Sequence, residues 1–141
     1  MPPVSRTILT KIFPKLRRGR FEVTSPEDSN YNCIAWAAGD TARWWEPDPM
    51  GAYYWPATAR REYSIDAYEE ALRSRKSTIS LTVALFAQGD RPTHAARQLD
   101  DKTWTSKLGK SVDISHSLED LSGGLYGEVV RIIDLDNEEG G

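Results

Sequence analysis

Residues 93–109, THAARQLDDKTWTSKLG, predict a β-hairpin that organises the second half of the chain. The runs before and after DDK read as strands, and the short polar connection between them is typical of a tight turn. With DDK as the loop, Leu99 lies opposite Thr103, and Gln98 lies opposite Trp104. The hairpin therefore fixes which side chains share a face of the sheet.

Two more segments continue the strand pattern around this hairpin. Residues 78–87, TISLTVALFA, alternate large apolar residues with smaller or polar ones, and residues 126–134, YGEVVRIID, read as another strand. The first half of the chain favours helices instead. The predicted fold class is therefore α+β, with N-terminal helices packed on an antiparallel sheet of about four to six strands.

Helical patterns appear at three places in the first half of the chain. Apolar residues recur at helical spacing over the first 16 residues, with Pro14 as an interruption. The segment CIAWAA, residues 33–38, predicts a two-turn helix that Gly39 ends with a left-handed cap. Ser64 is a suitable N-cap for a further helix that continues to about Arg75.

The composition is that of an ordinary globular domain. The chain has 141 residues, 39% of them hydrophobic, and its net charge of −3 argues against nucleic acid as a partner. No apolar stretch is long enough to cross a membrane and no signal peptide is recognisable, so we expect a cytoplasmic protein, with non-classical export as the alternative. We divide the chain into a basic arm or helix (1–20), a main domain (21–134) and an acidic tail (135–141).

Cys33 is the only cysteine in the chain, and it lies where a predicted helix begins. A helix N-terminus supplies partial positive charge and free N–H groups, which favour a thiolate and can stabilise an oxyanion. Asn32, directly before it, is a candidate for a further oxyanion donor. A cysteine nucleophile also needs a base, and His94 at the start of the THAARQL strand is the candidate. The opposite interpretation is that Cys33 packs as a small hydrophobic residue.

The hairpin register supplies a candidate for the third residue of a catalytic site. Ser106 is a diagonal neighbour of His94 in this register and can accept its ring N–H. Asp113 and His116, in VDISH, are the alternatives. These residues could also converge with Cys33 on zinc, but the close ligand pairs of zinc sites are absent. We therefore expect neither a metal nor another cofactor.

Tryptophans concentrate in one part of the chain, and we expect most of them to be core residues. Trp36 lies three residues after Cys33 and shares its helix face. Trp45 and Trp55 are candidates for lining a substrate groove. Gln98, on the same predicted strand face as His94, is a polar candidate for binding substrate.

Several blocks of the sequence resemble an uncharacterised bacterial domain family: YNCIAWAAGD, PTHAARQLDDKTWTSKLG, DISH and LYGEVV. The resemblance extends from about Phe13 to Ile132. This family is similar in arrangement to the papain-like superfamily, which includes NlpC-type peptidases and transglutaminase-like proteins. The resemblance implies that Cys33 is the nucleophile and His94 the base. The chain departs from transglutaminase-like proteins because TWTSKLG, after the histidine, carries no acidic residue.

Two functional interpretations follow from the sequence. The first is a thiol hydrolase or acyltransferase that forms an acyl-cysteine on a peptide or another amide-containing substrate. The second is a non-catalytic binding or immunity-type protein, in which the aromatic loop at residues 43–56 and the charged ends contact a protein partner. A distance of about 4 Å or less between the Cys33 sulfur and an imidazole nitrogen of His94 would favour the first.

Overall fold

The computed structural model of the protein describes residues 6–17, 21–74 and 81–135. These residues form three α-helices: α1 (Arg6–Ile12), α2 (Cys33–Ala38) and α3 (Ile65–Arg73). They also form two 3₁₀-helices, Pro14–Arg17 and Glu119–Leu121. The strands are β1 (Glu22–Ser25), β2 (Leu81–Gln88), β3 (Arg91–Gln98), β4 (Trp104–Lys107), β5 (Asp113–His116) and β6 (Glu128–Leu135).

The strands form one antiparallel sheet in the order β1-β5-β4-β3-β2-β6. The predicted α+β class and antiparallel sheet are confirmed, and the six strands observed lie within the predicted range. The sequence analysis did not identify β1 or β5. The predicted start of β2 at Thr78 lies outside the described residues, as does most of the predicted acidic tail.

The predicted hairpin is present as β3 and β4. The Leu99 amide donates to the Thr103 carbonyl at 2.8 Å, and Gln98 pairs with Trp104. The Asp100 carboxylate accepts hydrogen bonds from two loop amides, which shapes the turn. The next pair, Arg97 with Thr105, is the last one, although β3 extends from there back to Arg91 and β4 extends on to Lys107. A gap therefore opens between β3 and β4 beyond this pair.

Helix boundaries follow the predicted capping residues. Ser64 caps α3 through the Ala67 amide at 3.1 Å, and this helix ends at Arg73, two residues before the predicted end. Pro14 ends α1, as its missing N–H and ring require, and a short 3₁₀-helix continues from it. Gly39 follows α2 with φ 88°, the left-handed conformation predicted for it.

Each face of the sheet is covered by a separate apolar cluster. The α2/α3 face buries residues from those helices and from alternate positions of the strands: Ile34, Ala35, Ala67, Leu72, Val83, Leu85, Ala95 and Ile133. The opposite face buries residues from α1, the 3₁₀-helices and the other strand positions: Leu9, Phe13, Leu16, Ala84, Phe86, Ala96, Trp104, Ile114 and Leu121. Residues 1–20 were predicted to form either a basic arm or a helix. The described part of this segment is helical and packs into the second cluster.

Candidate active site around Cys33

Asn32 holds the start of α2 in place. Its Oδ1 accepts hydrogen bonds from the amides of Ala35 at 3.3 Å and Trp45 at 3.2 Å. Its Nδ2 donates to the Trp45 carbonyl at 2.7 Å. The side chain therefore caps the helix, a role that the sequence allows for Asn30 or Asn32, and it also ties the helix to the aromatic loop.

The Cys33 sulfur lies at the gap between β3 and β4. Because Leu99 donates its amide towards β4, the two-residue repeat of an antiparallel ladder points the amide of Ala95 the same way. Beyond the last pair this amide instead acts on the Cys33 sulfur and lowers the pKa of the thiol. The thiol therefore lies near a β3 amide that has no ladder partner on β4.

Burial is the largest influence on the Cys33 thiol and raises its pKa above the ordinary value. The amides of Ala95, Ile34 and Cys33 itself act in the opposite direction, as does the charge of Lys107. The residue nevertheless remains partly exposed. The resting thiol is therefore neutral at pH 7 and surrounded by N–H groups that favour negative charge near the sulfur.

His94 points to the opposite face of the sheet from α2. It pairs with Phe86 of the second cluster, and its ring stacks on Tyr126 with centroids 4.0 Å apart and planes 4° apart. The side chain is fully buried, and neither ring nitrogen has a hydrogen-bond partner. Burial, with a smaller effect of His116, lowers the pKa of His94 well below its usual value. The structure therefore shows no hydrogen bond between His94 and Cys33.

Ser106, the candidate third residue, binds a different histidine. Its hydroxyl lies 2.7 Å from Nε2 of His116, and Nδ1 of His116 lies 2.6 Å from the Ser117 carbonyl. Because a carbonyl only accepts, Nδ1 carries the proton and Ser106 donates to Nε2. Burial lowers the pKa of His116 to about 4. The predicted contact between Ser106 and His94 is not made, because β3 and β4 part before Ser106.

Asp113, the remaining alternative, belongs to a polar network on the α2/α3 face. Its carboxylate accepts hydrogen bonds from Thr24 and, at 2.9 Å, from the hydroxyl of Tyr31. With both oxygens engaged there, Asp113 faces away from the cluster that contains His94.

Lys107 is the polar residue that the sequence analysis missed. Its side chain is fully buried, and its ammonium donates to the carbonyls of Asp28 at 2.5 Å and Gly109 at 2.6 Å. It also lies 4.7 Å from the ring centroid of Tyr31. In the sequence, Lys107 appears only as a lysine at the end of the uncharged segment TWTS. This pattern does not distinguish a buried lysine from a solvated one.

The other predicted substrate-binding residues lie in different environments. Trp36 donates its Nε1–H to Thr105 Oγ1 at 3.0 Å and stacks under the guanidinium of Arg97. Trp45 is 4% exposed and packs in the apolar cluster of the α2/α3 face. The indole N–H of Trp45 donates to Asp40 at 2.9 Å. Gln98 is partly buried on the face that also carries His94.

Internal hydrogen bonds hold the aromatic loop, and with Tyr63 it presents a surface made of Trp44, Met50, Tyr53 and Tyr63, here called the aromatic surface. Glu46 accepts hydrogen bonds from the side chains of Trp44 at 3.0 Å and Tyr63 at 2.6 Å. The Asp48 carboxylate binds two loop amides and Arg61. Met50 is 89% exposed at the tip of the loop.

Neither a metal cluster nor a membrane-spanning helix appears in the part of the chain that the structure describes. There, no group of three or more His, Cys, Asp or Glu side chains could hold a metal ion. Over the same residues, no helix has the length and apolar character that crossing a membrane requires.

Residues 22–134 match a family described as a domain of unknown function, DUF7689, and the chain belongs to that family. No curated protein matches the sequence, and no solved structure matches it either. The match covers Cys33, both histidines and Lys107. The site described above is therefore contained in the family's domain.

Proposed function

We propose that the protein is a thiol hydrolase or acyltransferase in which Cys33 attacks an amide or peptide carbonyl and His94 is the base. The observation that carries this proposal is the fully buried imidazole of His94, whose two ring nitrogens have no hydrogen-bond partner. His94 directly precedes Ala95, and the amide of Ala95 acts on the Cys33 thiol. A buried polar group without a partner destabilises a fold, and such groups are common at functional sites.

The proposed chemistry begins from a neutral thiol and a neutral imidazole, the forms that burial favours for both groups. As the sulfur bonds to the carbonyl carbon, its proton passes to His94, and N–H groups near Cys33 bind the oxyanion. The C–N bond then breaks, and His94 returns the proton to the leaving amine. Water or another acceptor then attacks the acyl-cysteine and gives a proton to His94. The C–S bond breaks, and His94 passes this proton to the sulfur, which restores the thiol.

This mechanism requires the imidazole to leave its stack on Tyr126 and move into the gap between β3 and β4. The β3–β4 pairing ends at Arg97 and Thr105, so β3 has no ladder partner on β4 beside His94, and the proposed rotation brings the imidazole to that side of the strand. A cysteine at a helix N-terminus packed on an antiparallel sheet that carries a histidine is also the arrangement of papain-like enzymes. We include membership of that superfamily in the proposal.

Alkylation of Cys33 by iodoacetamide tests the base directly. We expect the rate at pH 7 in the native protein to fall about tenfold or more in His94→Phe, which fills the same space without a base. Cys33→Ala gives the background, and His116→Phe controls for the loss of a histidine elsewhere. Equal rates in the wild type and His94→Phe, or alkylation only on unfolding, would contradict the proposal.

The aromatic surface supports a second candidate function, the binding of a protein partner. Met50, Tyr53 and Tyr63 are exposed and Trp44 is partly exposed, and side chains of these types are enriched at protein interfaces. Hydrogen bonds to Glu46 hold Trp44 and Tyr63, so these two side chains lose little entropy on binding. A photo-crosslinker at Tyr53 should then capture one partner in cells, whereas the same group at the exposed Leu125 should not. This function predicts an unreactive Cys33, and equal capture at both positions would contradict it.

A further inference from the structure

Arg97 differs from the other arginines of the described residues in its surroundings. Arg43, Arg60, Arg61, Arg73 and Arg131 each bind a carboxylate. Arg97 is partly buried on β3, yet within the described chain it makes no hydrogen bond or ion pair. Arg91 lacks an acceptor as well, but its side chain is exposed and water can solvate it.

The guanidinium of Arg97 is held in place by stacking and has no anion to bind. Its central carbon lies 4.9 Å from the ring centroid of Trp36. Partial burial lowers the pKa of Arg97, and the charge of Asp113 opposes this effect. Asp113 makes no hydrogen bond with Arg97, and its oxygens accept instead from Thr24 and Tyr31. The planar guanidinium of Arg97 is therefore held by Trp36, while its N–H groups have no acceptor among the described residues.

This guanidinium lies at the end of α2 that is opposite to the proposed nucleophile. A Cβ added at Gly39, the residue that caps the C-terminus of α2, would lie 4.0 Å from Nη1 of Arg97. Cys33 begins the same six-residue helix, so it is about 9 Å away along the helix axis. A ligand that extended from the sulfur along α2 would thus reach the Arg97–Trp36 pair.

We propose that Arg97, supported by Trp36, binds a carboxylate group of a ligand at the C-terminal end of α2. Guanidinium and carboxylate fit each other through two parallel hydrogen bonds, which a lysine cannot reproduce. As a substrate subsite, this pair rests on the proposed function and selects acyl donors with a carboxylate about 9 Å, the length of α2, from the amide that is cleaved. The carboxylate is either a peptide C-terminus or an acidic side chain.

The test measures binding alone, in the Cys33→Ala protein. The probes are N-acetyl-alanine, N-acetyl-glutamate amide and N-acetyl-alanine amide, which carry a C-terminal carboxylate, a side-chain carboxylate and no charge. The readout is the NMR signal of the Trp36 indole N–H, assigned with Trp36→Phe. We expect at least one carboxylate probe to shift this signal saturably and the neutral amide to leave it unchanged.

Variants of Arg97 and of Arg91 give the decisive comparison. Arg97→Met should weaken binding of the carboxylate probe about tenfold or more, and Arg97→Lys should recover only part of it. Arg91→Met, on the same strand, should bind as the parent does. Equal responses to the charged and neutral probes, no saturable response, or unchanged binding in Arg97→Met would overturn the proposal. Because no step uses the thiol, an unreactive Cys33 would leave this result intact and count only against the hydrolase.

Discussion

At the scale of single residues, His94 combines full burial with two unpaired ring nitrogens. A phenylalanine keeps the stack on Tyr126 and removes the unsatisfied polar atoms. We predict that His94→Phe raises the free energy of unfolding by about 1 kcal/mol, measured by urea denaturation. If the proposed function is right, the same variant loses reactivity at Cys33, so stability and activity change in opposite directions.

His116→Phe is the matched control for this prediction. His116 is equally buried but binds Ser106 and the Ser117 carbonyl, so its replacement leaves both without their partner. We expect it to lower the free energy of unfolding by about 1–3 kcal/mol. A loss of stability in both variants would show that His94 has favourable polar interactions that its unpaired nitrogens do not reveal.

The two buried histidines also predict an acid-sensitive fold. Their pKa values in the folded protein lie below the unfolded value of about 6.5, so the unfolded chain binds more protons as the pH falls. Stability should be constant above pH 6.5 and fall below it, by up to about 1.4 kcal/mol per pH unit for each histidine.

Urea denaturation at several pH values between 6.5 and 5 measures this slope, above the range where most carboxylates titrate. His94→Phe should show about half of the wild-type slope, since His116 remains. An unchanged slope would mean that His94 binds protons equally in the folded and the unfolded chain, so that folding does not lower its pKa.

At the scale of elements, the turn before β6 positions Tyr126 against His94. Gly127 has φ 77°, and a Cβ there would collide with the Ala87 carbonyl, so the turn is pressed against β2. Under the proposed function, this turn keeps the imidazole away from Cys33. We predict that Tyr126→Ala increases the alkylation rate of Cys33 several-fold by freeing His94.

A double variant separates this effect from general loosening of the fold. If Tyr126 acts through His94, the increase disappears when His94→Phe is added. If removal of Tyr126 only opens the structure, the single and double variants react at the same raised rate. Amide hydrogen exchange of β2 should be similar in both, which checks that the sheet stays closed.

The elements that were predicted from sequence have strong local signals, and the missed ones do not. Gly39 and Ser64 mark helix ends through their own backbone chemistry, and the DDK loop determines the β3–β4 register. The four-residue strands EVTS and DISH have too few apolar residues to show alternation. Their positions depend on pairing with β4 and on one another, which is information that no local pattern contains.

The candidate site shows the same limit. The start of α2 at Cys33 was predictable from its capping residues, whereas the orientation of His94 was not. Alternation along β3 places Ala95 and His94 on opposite faces, but which face receives α2 depends on how the whole chain packs. The partner of Ser106 likewise depends on the end of the β3–β4 ladder, which occurs inside two continuous strands.

At the scale of the whole molecule, Lys107 connects β4 with the segment that precedes α2. This residue continues β4, an interior strand of the sheet, past the last β3–β4 pair. Its ammonium donates to the Asp28 carbonyl, and its charge lowers the pKa of the Cys33 thiol. One buried cation therefore acts on the sheet, on the loop that leads to α2 and on the candidate nucleophile.

This connection predicts two separable effects of Lys107→Met. The carbonyls of Asp28 and Gly109 lose their donor, so the free energy of unfolding should fall by about 1–3 kcal/mol. The charge that lowers the pKa of the Cys33 thiol also disappears, so the pH profile of alkylation should move to higher pH. Lys110→Met, at an exposed position, should change neither quantity. An unchanged alkylation profile with reduced stability would mean that Lys107 supports the fold without influencing the thiol.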